Sequence, residues 1–305
     1  MYMYILILLI VILLLLILLN NNVDKLFDFI KREFKHNIPF VHKKIIMREY
    51  NHVEDKTRNS LIEYKEIHNV PNNIFQIYIK QDKLADEIVN NINYLKMKNP
   101  TWKYHLITDK NIDTWLESIN DPEYIKIYHD ISPDYPAAKC DILRYLLMKH
   151  YGGVYLDIKS SCKYSLDEVI EPKIMLFKWC ILEVAQKGFL CYFNRRERKY
   201  PDELVQWILI YPKGHYFINA VLNNIKLKYN KYKKDPKLIQ DIYAFTGPDV
   251  YTDTIIPLLN NNNSILYISF TDKGFLYNIL KYHHKFYSKN KHYLEIKGKI
   301  IEPDV

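Results

Sequence analysis

The chain has 305 residues, 49% of them hydrophobic and 14% aromatic, which excludes a disordered polypeptide. Its net charge of +8 comes from 43 basic and 35 acidic residues interleaved along the chain, so no basic stripe marks a nucleic-acid surface and no nucleic-acid partner is expected. The four cysteines, Cys140, Cys162, Cys180 and Cys191, form no C-x-x-C pair, which argues against a structural zinc site and leaves free thiols as the default.

Residues 1–20 open the chain with an almost unbroken run of Ile and Leu. A span of about 20 apolar residues is what a transmembrane helix needs. No positive segment precedes it and no small-residue cleavage site follows, so it reads as an uncleaved anchor. Residues 21–70 are mixed and charged, with Leu26, Phe29, Ile30 and Phe34 near helical spacing, and read as a stem. Residues 71–305 are long enough for one large α/β domain.

Ile74–Ile79 is rich in β-formers and predicts the first strand. Asp82 to Lys98 has a helical period, and Trp102 to Ile107 predicts a second strand, with a cap signal at Thr108 or Asp109. Strand, helix and strand in succession favour a parallel sheet. Asn111 to Asp130 reads as helices, with Pro122 at a helix start.

The densest chemistry follows. Ala137 to Tyr145 reads as a helix carrying Asp141 and Arg144 on one face, because residues three apart are helix neighbours. Gly152-Gly153 ends that helix, and Val154 to Ile158 reads as a buried strand. Asp157 sits near the carboxyl end of that strand, where ligands bind in open α/β sheets. A buried carboxylate needs a partner, so Asp141, Arg144 and Asp157 are expected in one cleft.

Ile174–Trp179 and Phe189–Phe193 read as strands, and Leu204–Ile210 and Tyr216–Leu227 as helices. Asn194–Arg198 reads as a solvated basic turn, His215 as structural, and Thr246-Gly247-Pro248 as a turn before a helix from Asp249. The lysines at 226, 228, 231, 233 and 234 read as a solvated helix end. No Walker loop, G-x-G-x-x-G or G-x-S-x-G occurs, which disfavours P-loop, dinucleotide and α/β-hydrolase chemistry.

The pattern Ala137, Asp141, Arg144, Tyr145, then Tyr151, Gly152, Gly153, Tyr155 and Asp157, resembles that of the sugar-nucleotide glycosyltransferases with an Asp-x-Asp motif, family 32, and in particular fungal outer-chain and sphingolipid mannosyltransferases. Two positions depart from it: Cys140 stands where Ser is usual, and Lys159 where the second Asp is usual. Weaker similarities lie at Gln76, at the Trp102–Asp109 segment, at Thr246–Pro248, and at His283-His284 with Ser288.

The resemblance implies a GT-A-like (Rossmann-like) fold, a mostly parallel sheet flanked by helices, beyond the N-terminal transmembrane helix. It implies transfer of a hexose, mannose favoured, from a GDP- or UDP-sugar to a glycan or glycolipid, with retention. Asp157, Asp141 and Arg144 are then catalytic. Gln76, Asp141, Arg144, Tyr145, Gly153, Asp157 and Lys159 bind the donor. Asp157 is the metal ligand for Mn²⁺ or Mg²⁺, with Lys159 in place of its partner. Residues two apart on a strand point the same way, so Lys159 is expected to replace the metal ligand in space: it then neutralises diphosphate itself, turns away, or marks a domain that binds without turnover. The family implies a lumenal, Golgi- or ER-like catalytic face. The basic residues after the span, counted by the positive-inside rule, imply the cytosolic one.

Overall fold

The computed structural model describes residues 69–79, 84–178, 203–235, 237–259, 265–280 and 298–304. The expected span at 1–20, nearly all of the stem, the Phe189–Phe193 strand, the Asn194–Arg198 turn, Cys180, Cys191, His283, His284 and Ser288 lie outside these residues. Among the described residues no helix is long and apolar enough to cross a membrane.

The strands in chain order are β1 (Asn73–Tyr78), β2 (Lys103–Thr108), β3 (Gly153–Leu156), β4 (Ser161–Cys162), β5 (Ile174–Lys178), β6 (Ile208–Tyr211), β7 (Ile265–Ser269) and β8 (Phe275–Leu276). The helices are α1 (Asp86–Lys98), α2 (Ile112–Ile119), α3 (Pro122–Asp130), α4 (Pro136–His150), α5 (Leu166–Val169), α6 (Tyr216–Lys234), α7 (Ile242–Phe245) and α8 (Pro248–Ile255). The central sheet has the order β2-β1-β3-β6. Its first three strands are parallel, with Phe75 opposite Tyr155, and β6 runs antiparallel to β3, with Val154 opposite Ile210. Two short sheets flank it, a parallel β5-β7 pair and an antiparallel β4-β8 pair. The architecture is thus mixed α/β with a mostly parallel main sheet, as expected, and all described residues belong to one unit spanning 66–305.

The sheet is buried on both faces, and the period of two sorts its side chains. Phe75, Ile77, Tyr155, Leu209 and Tyr211 face a core built with α2, α3, α4, α6 and α8. Ile74, Val154, Leu156, Ile208 and Ile210 face a second core with Trp207, Phe177, Phe270 and Phe275.

Helix α4 is buried nearly all round, from Ala138 to Met148, as a helix wrapped by other elements must be. It passes to β3 through Gly152, whose φ of 66° lies in the left-handed region. A Cβ there would meet the Lys213 backbone nitrogen at 2.4 Å, so only glycine fits this link. The central motif is therefore a helix, a glycine turn and a strand.

Two expectations are corrected. Leu204–Ile210 is not helical: Leu204 bridges to Lys178, and Ile208–Tyr211 is the strand β6. A short run apolar on both sides has no readable period, and pairing with β3 decided its conformation. The β3 strand also stops at Leu156, short of Ile158. There the backbone N–H of Asp157 donates to the Trp207 carbonyl (2.9 Å) and the chain turns, the Ser160 N–H donating to the Asp157 carbonyl at 2.8 Å. Asp157 and Lys159 thus lie in a turn, and strand alternation does not place Lys159 beside Asp157.

Candidate functional site

The site is assembled by α4, which carries Asp141 and Arg144 one turn apart, and by the end of β3, which releases Asp157. Arg144 Nη2 lies 2.9 Å from Asp141 Oδ1 and 3.3 Å from Asp157 Oδ1. Its Nη1 donates to the Gln206 carbonyl at 2.9 Å, and its guanidinium stacks over the Tyr155 ring at 4.8 Å. The Arg144 Nε is buried and has no hydrogen-bond partner among the described residues. The three charged groups expected in one place are in one place.

Burial differs across the cluster. The Asp141 and Arg144 side chains are each 7% exposed and that of Asp157 is 23% exposed. Asp141 is held on both oxygens: Oδ2 accepts from Thr246 Oγ1 at 3.0 Å, and Oδ1 accepts from Arg144 and, at 3.4 Å, from Gln206 Nε2. Burial pushes the Asp141 carboxyl up to about 6, against the downward pull of Arg144 and of the Thr246 hydrogen bond. The Asp157 contacts fall on Oδ1, which also accepts from Tyr155 Oη at 2.9 Å. Burial raises the Tyr145 and Tyr155 phenols, so both remain donors at neutral pH.

Behind these groups stands a buried frame. Tyr145 Oη donates to Gln206 Oε1 at 2.5 Å, and its ring stacks on Tyr251, whose hydroxyl lies 2.6 Å from that of Tyr211. Gln76, wholly buried, donates through Nε2 to the Asp157 carbonyl at 3.0 Å and accepts at Oε1 from Tyr104 Oη at 2.6 Å. Gln76 therefore holds the turn that presents Asp157, and its amide is spent on that task. Gly153, with φ of 115°, admits no Cβ because the Asn73 carbonyl oxygen would lie at 2.5 Å, so it serves the β1–β3 approach.

The sequence did not single out Gln206, which touches Asp141, Arg144 and Tyr145 at once. Its one signal was a polar residue inside the apolar run Leu204–Tyr211, hidden by the helical reading. Thr246 was noticed as part of a turn motif, and the structure brings it to Asp141. His215 is structural, as expected: it is buried and, at the N-cap of α6, accepts from the Phe217 N–H at 3.3 Å. Of the lysines on α6, Lys226 pairs with Glu123 at 2.9 Å and Lys233 with Asp304 at 2.7 Å.

The oxygens around the site are largely engaged within the protein. Asp141 has both oxygens engaged, Asp157 has Oδ1 shared between Arg144 and Tyr155, and Lys159 brings an ammonium to the turn. Among the described residues no group of three His, Cys, Asp or Glu side chains is placed to hold a metal ion. These described residues do not fit a metal site of the oxygen-rich kind that Mg²⁺ or Mn²⁺ takes. Lys159 instead lies with its ammonium 5.0 Å from the Tyr277 ring centroid, and its carbonyl accepts from the Ile279 N–H at 3.0 Å.

Comparison with known proteins fits this geometry. Residues 85–175 match the glycosyltransferase sugar-binding region containing the DXD motif, a stretch that includes Asp141, Arg144 and Asp157. The chain is 27% identical over 220 residues to the initiation-specific alpha-1,6-mannosyltransferase of Candida albicans, covering 65% of this chain and 55% of that protein. It is 29% identical over 186 residues to inositol phosphoceramide mannosyltransferase 1 of Schizosaccharomyces pombe, covering 60% and 50%. The chain thus spans about half the length of the curated relatives it matches. Among solved structures, the PaToxG glycosyltransferase overlays with a TM-score of 0.47 at 16% identity, covering 62% of this chain and 70% of that one. The Asp141–Arg144–Asp157 network lies inside the matched region, so it is in this stretch that the chain is similar to DXD-containing glycosyltransferases.

Proposed function

We propose that the protein is a hexosyltransferase of GT-A-like fold. It moves a hexose, mannose favoured, from a GDP- or UDP-sugar to a glycan or glycolipid hydroxyl, with retention at the anomeric carbon. The observation that carries this reading is the Arg144 guanidinium gripping both Asp141 and Asp157 at the carboxyl end of β3, within the region matched to sugar binding. The mannosyltransferase relatives support the choice of mannose.

In this reading Asp157, the more exposed carboxylate, meets the donor sugar. Asp141 and Arg144 fix its position, and the Arg144 Nε, without a partner among the described residues, is a buried donor that a bound oxygen would satisfy. Charge-assisted hydrogen bonds of this kind are directional and strong, as orientation of a sugar requires. Tyr145, Gln76 and Gly153 are fully or nearly fully buried and act on the donor through the groups they hold. Residues 1–20 anchor the protein as a single-pass membrane protein with residues 21–70 as stem, and the catalytic domain, residues 71–305, faces a Golgi- or ER-like lumen.

The test is nucleotide release by the full chain in detergent with a panel of GDP- and UDP-sugars, with Asp157→Asn as control. Release from one donor, lost in the variant, is the expected result. A second reading, a nucleotide-sugar binding protein without turnover, is favoured by Lys159 at the second motif position. Binding of a nucleotide-sugar with no release from any donor would establish it.

A further inference from the structure

Helix α6 turns Val221, Ile225, Tyr229 and Tyr232 into the core. Its outer face carries Leu227, Lys231 and Lys234, which share one side because positions four and seven apart fall together on a helix. The loop that follows adds Lys237, Leu238 and Ile239, all three exposed. We propose that this surface docks on an anionic phospholipid membrane. Leu238 and Ile239 enter the headgroup layer, and Lys231, Lys234 and Lys237 meet the lipid phosphates and carboxylates.

Charge selects the kind of partner. Residues 226–240 hold six lysines against one acid, Asp235. Lys226 is spent on Glu123 at 2.9 Å and Lys233 on Asp304 at 2.7 Å. Lys231, Lys234 and Lys237 are exposed and enter no ion pair among the described residues. Asp235, and Glu302 and Asp304 beside Lys233, adjoin the patch, and the lysines outweigh them. A polybasic surface of this kind is drawn to anionic lipid.

The aliphatic side chains select lipid over other polyanions. Ile239 is 92% exposed, Leu227 53% and Leu238 40%. A nucleic acid would answer the lysines and leave Ile239 in water. A membrane interface presents anionic headgroups directly above acyl carbon and takes both kinds of side chain at once.

The loop is already shaped for this. The Lys237 N–H donates to Asp235 Oδ1 at 2.9 Å and the Leu238 N–H to the Asp235 carbonyl at 3.3 Å. Gln240 exchanges two hydrogen bonds with the Ile301 backbone, each 2.7 Å long. Ile239 is thus held outward between fastened neighbours, and docking needs no ordering of the loop.

The experiment is hydrogen exchange of the full chain with nanodiscs of phosphatidylcholine, alone or mixed with phosphatidylserine. Both conditions contain a bilayer, so an N-terminal anchor acts on both alike. The amides of residues 237–240 should exchange about tenfold or more slowly with the phosphatidylserine discs, and high salt should shrink the difference. The protection should vanish in Ile239→Ser, and in Lys231→Glu, Lys234→Glu and Lys237→Glu combined, all exposed positions whose replacement leaves the core intact. Equal exchange in the two lipids would overturn the proposal. So would protection that survives Ile239→Ser, which would mean contact by charge alone. Protection of the same size from duplex DNA or polyglutamate, with phosphatidylcholine discs only, would also overturn it and make the patch a general polyanion surface.

Discussion

The two halves of the candidate site are built on opposite principles. On the α4 side, Asp141 and Arg144 are sealed beneath Gln206, Thr246 and Tyr145, and their charges are answered by the protein. On the β3 side, Asp157 and Lys159 sit in a partly exposed turn fastened at its base by Gln76 and at its edge by the 277–279 segment. The buried half is expensive to alter because any lost partner leaves a charge in low dielectric. The exposed half can change residue without unfolding the domain. The motif departs from the resembled pattern on both sides, at Lys159 in the turn and at Cys140 on α4, while Asp141, Arg144 and Tyr145, whose side chains carry the buried contacts, match it.

The contrast can be broken at four points, from the largest expected effect down. Arg144→Met leaves Asp141 buried beside no cation and should cost about 3–5 kcal/mol of stability. A denaturation midpoint within error of wild type would show that the ion pair is not what stabilises α4. Asp157→Asn should leave the melting curve close to wild type and lower nucleotide-sugar turnover by about 10²–10³-fold. A severe loss of stability in that variant would erase the distinction between the two halves.

The third point is pH. Folding holds the Asp141 proton up to about 6, against an ordinary value of 3.8. In that window the native state binds more protons than the unfolded state, so the contribution of this group to stability is lost as pH rises through it. Activity should run the other way, with an acid limb near 6 as the Asp141 carboxylate forms and anchors Arg144. Asp141→Asn should remove both trends, and a limb that persists in that variant would assign it to another group. The fourth and smallest is Tyr145→Phe, which deletes the bond to Gln206 and should cost about 1 kcal/mol with a larger effect on turnover than on donor affinity. Equal effects on both would mean that Tyr145 only packs.

Much of this was readable in advance. The helix–glycine–strand unit, the parallel strands β1 and β2, the structural role of His215 and the meeting of Asp141, Arg144 and Asp157 all follow from local rules: helix spacing, left-handed glycine and apolar runs bounded by turns. Three things were not readable. Strand β6 was taken for a helix because a short run buried on both faces carries no period. Gln206 was missed with it, since its importance comes from lying beside Asp141 and Arg144, more than 60 residues away. Lys159 was placed by strand alternation, and the chain had already turned.

The sequence by itself determined which charged groups would meet, because a helix of fixed pitch followed by a glycine link and a short strand leaves them little freedom. It also determined the likeness to the sugar-binding region, whose residues lie close together in the chain. Only the tertiary structure decided how those charges are balanced. Whether a carboxylate is free to hold a ligand depends on the hydroxyls, amides and cations that packing brings to it from distant segments, and here Thr246, Gln206, Gln76 and Tyr277 were all delivered by long-range contacts that no local pattern encodes.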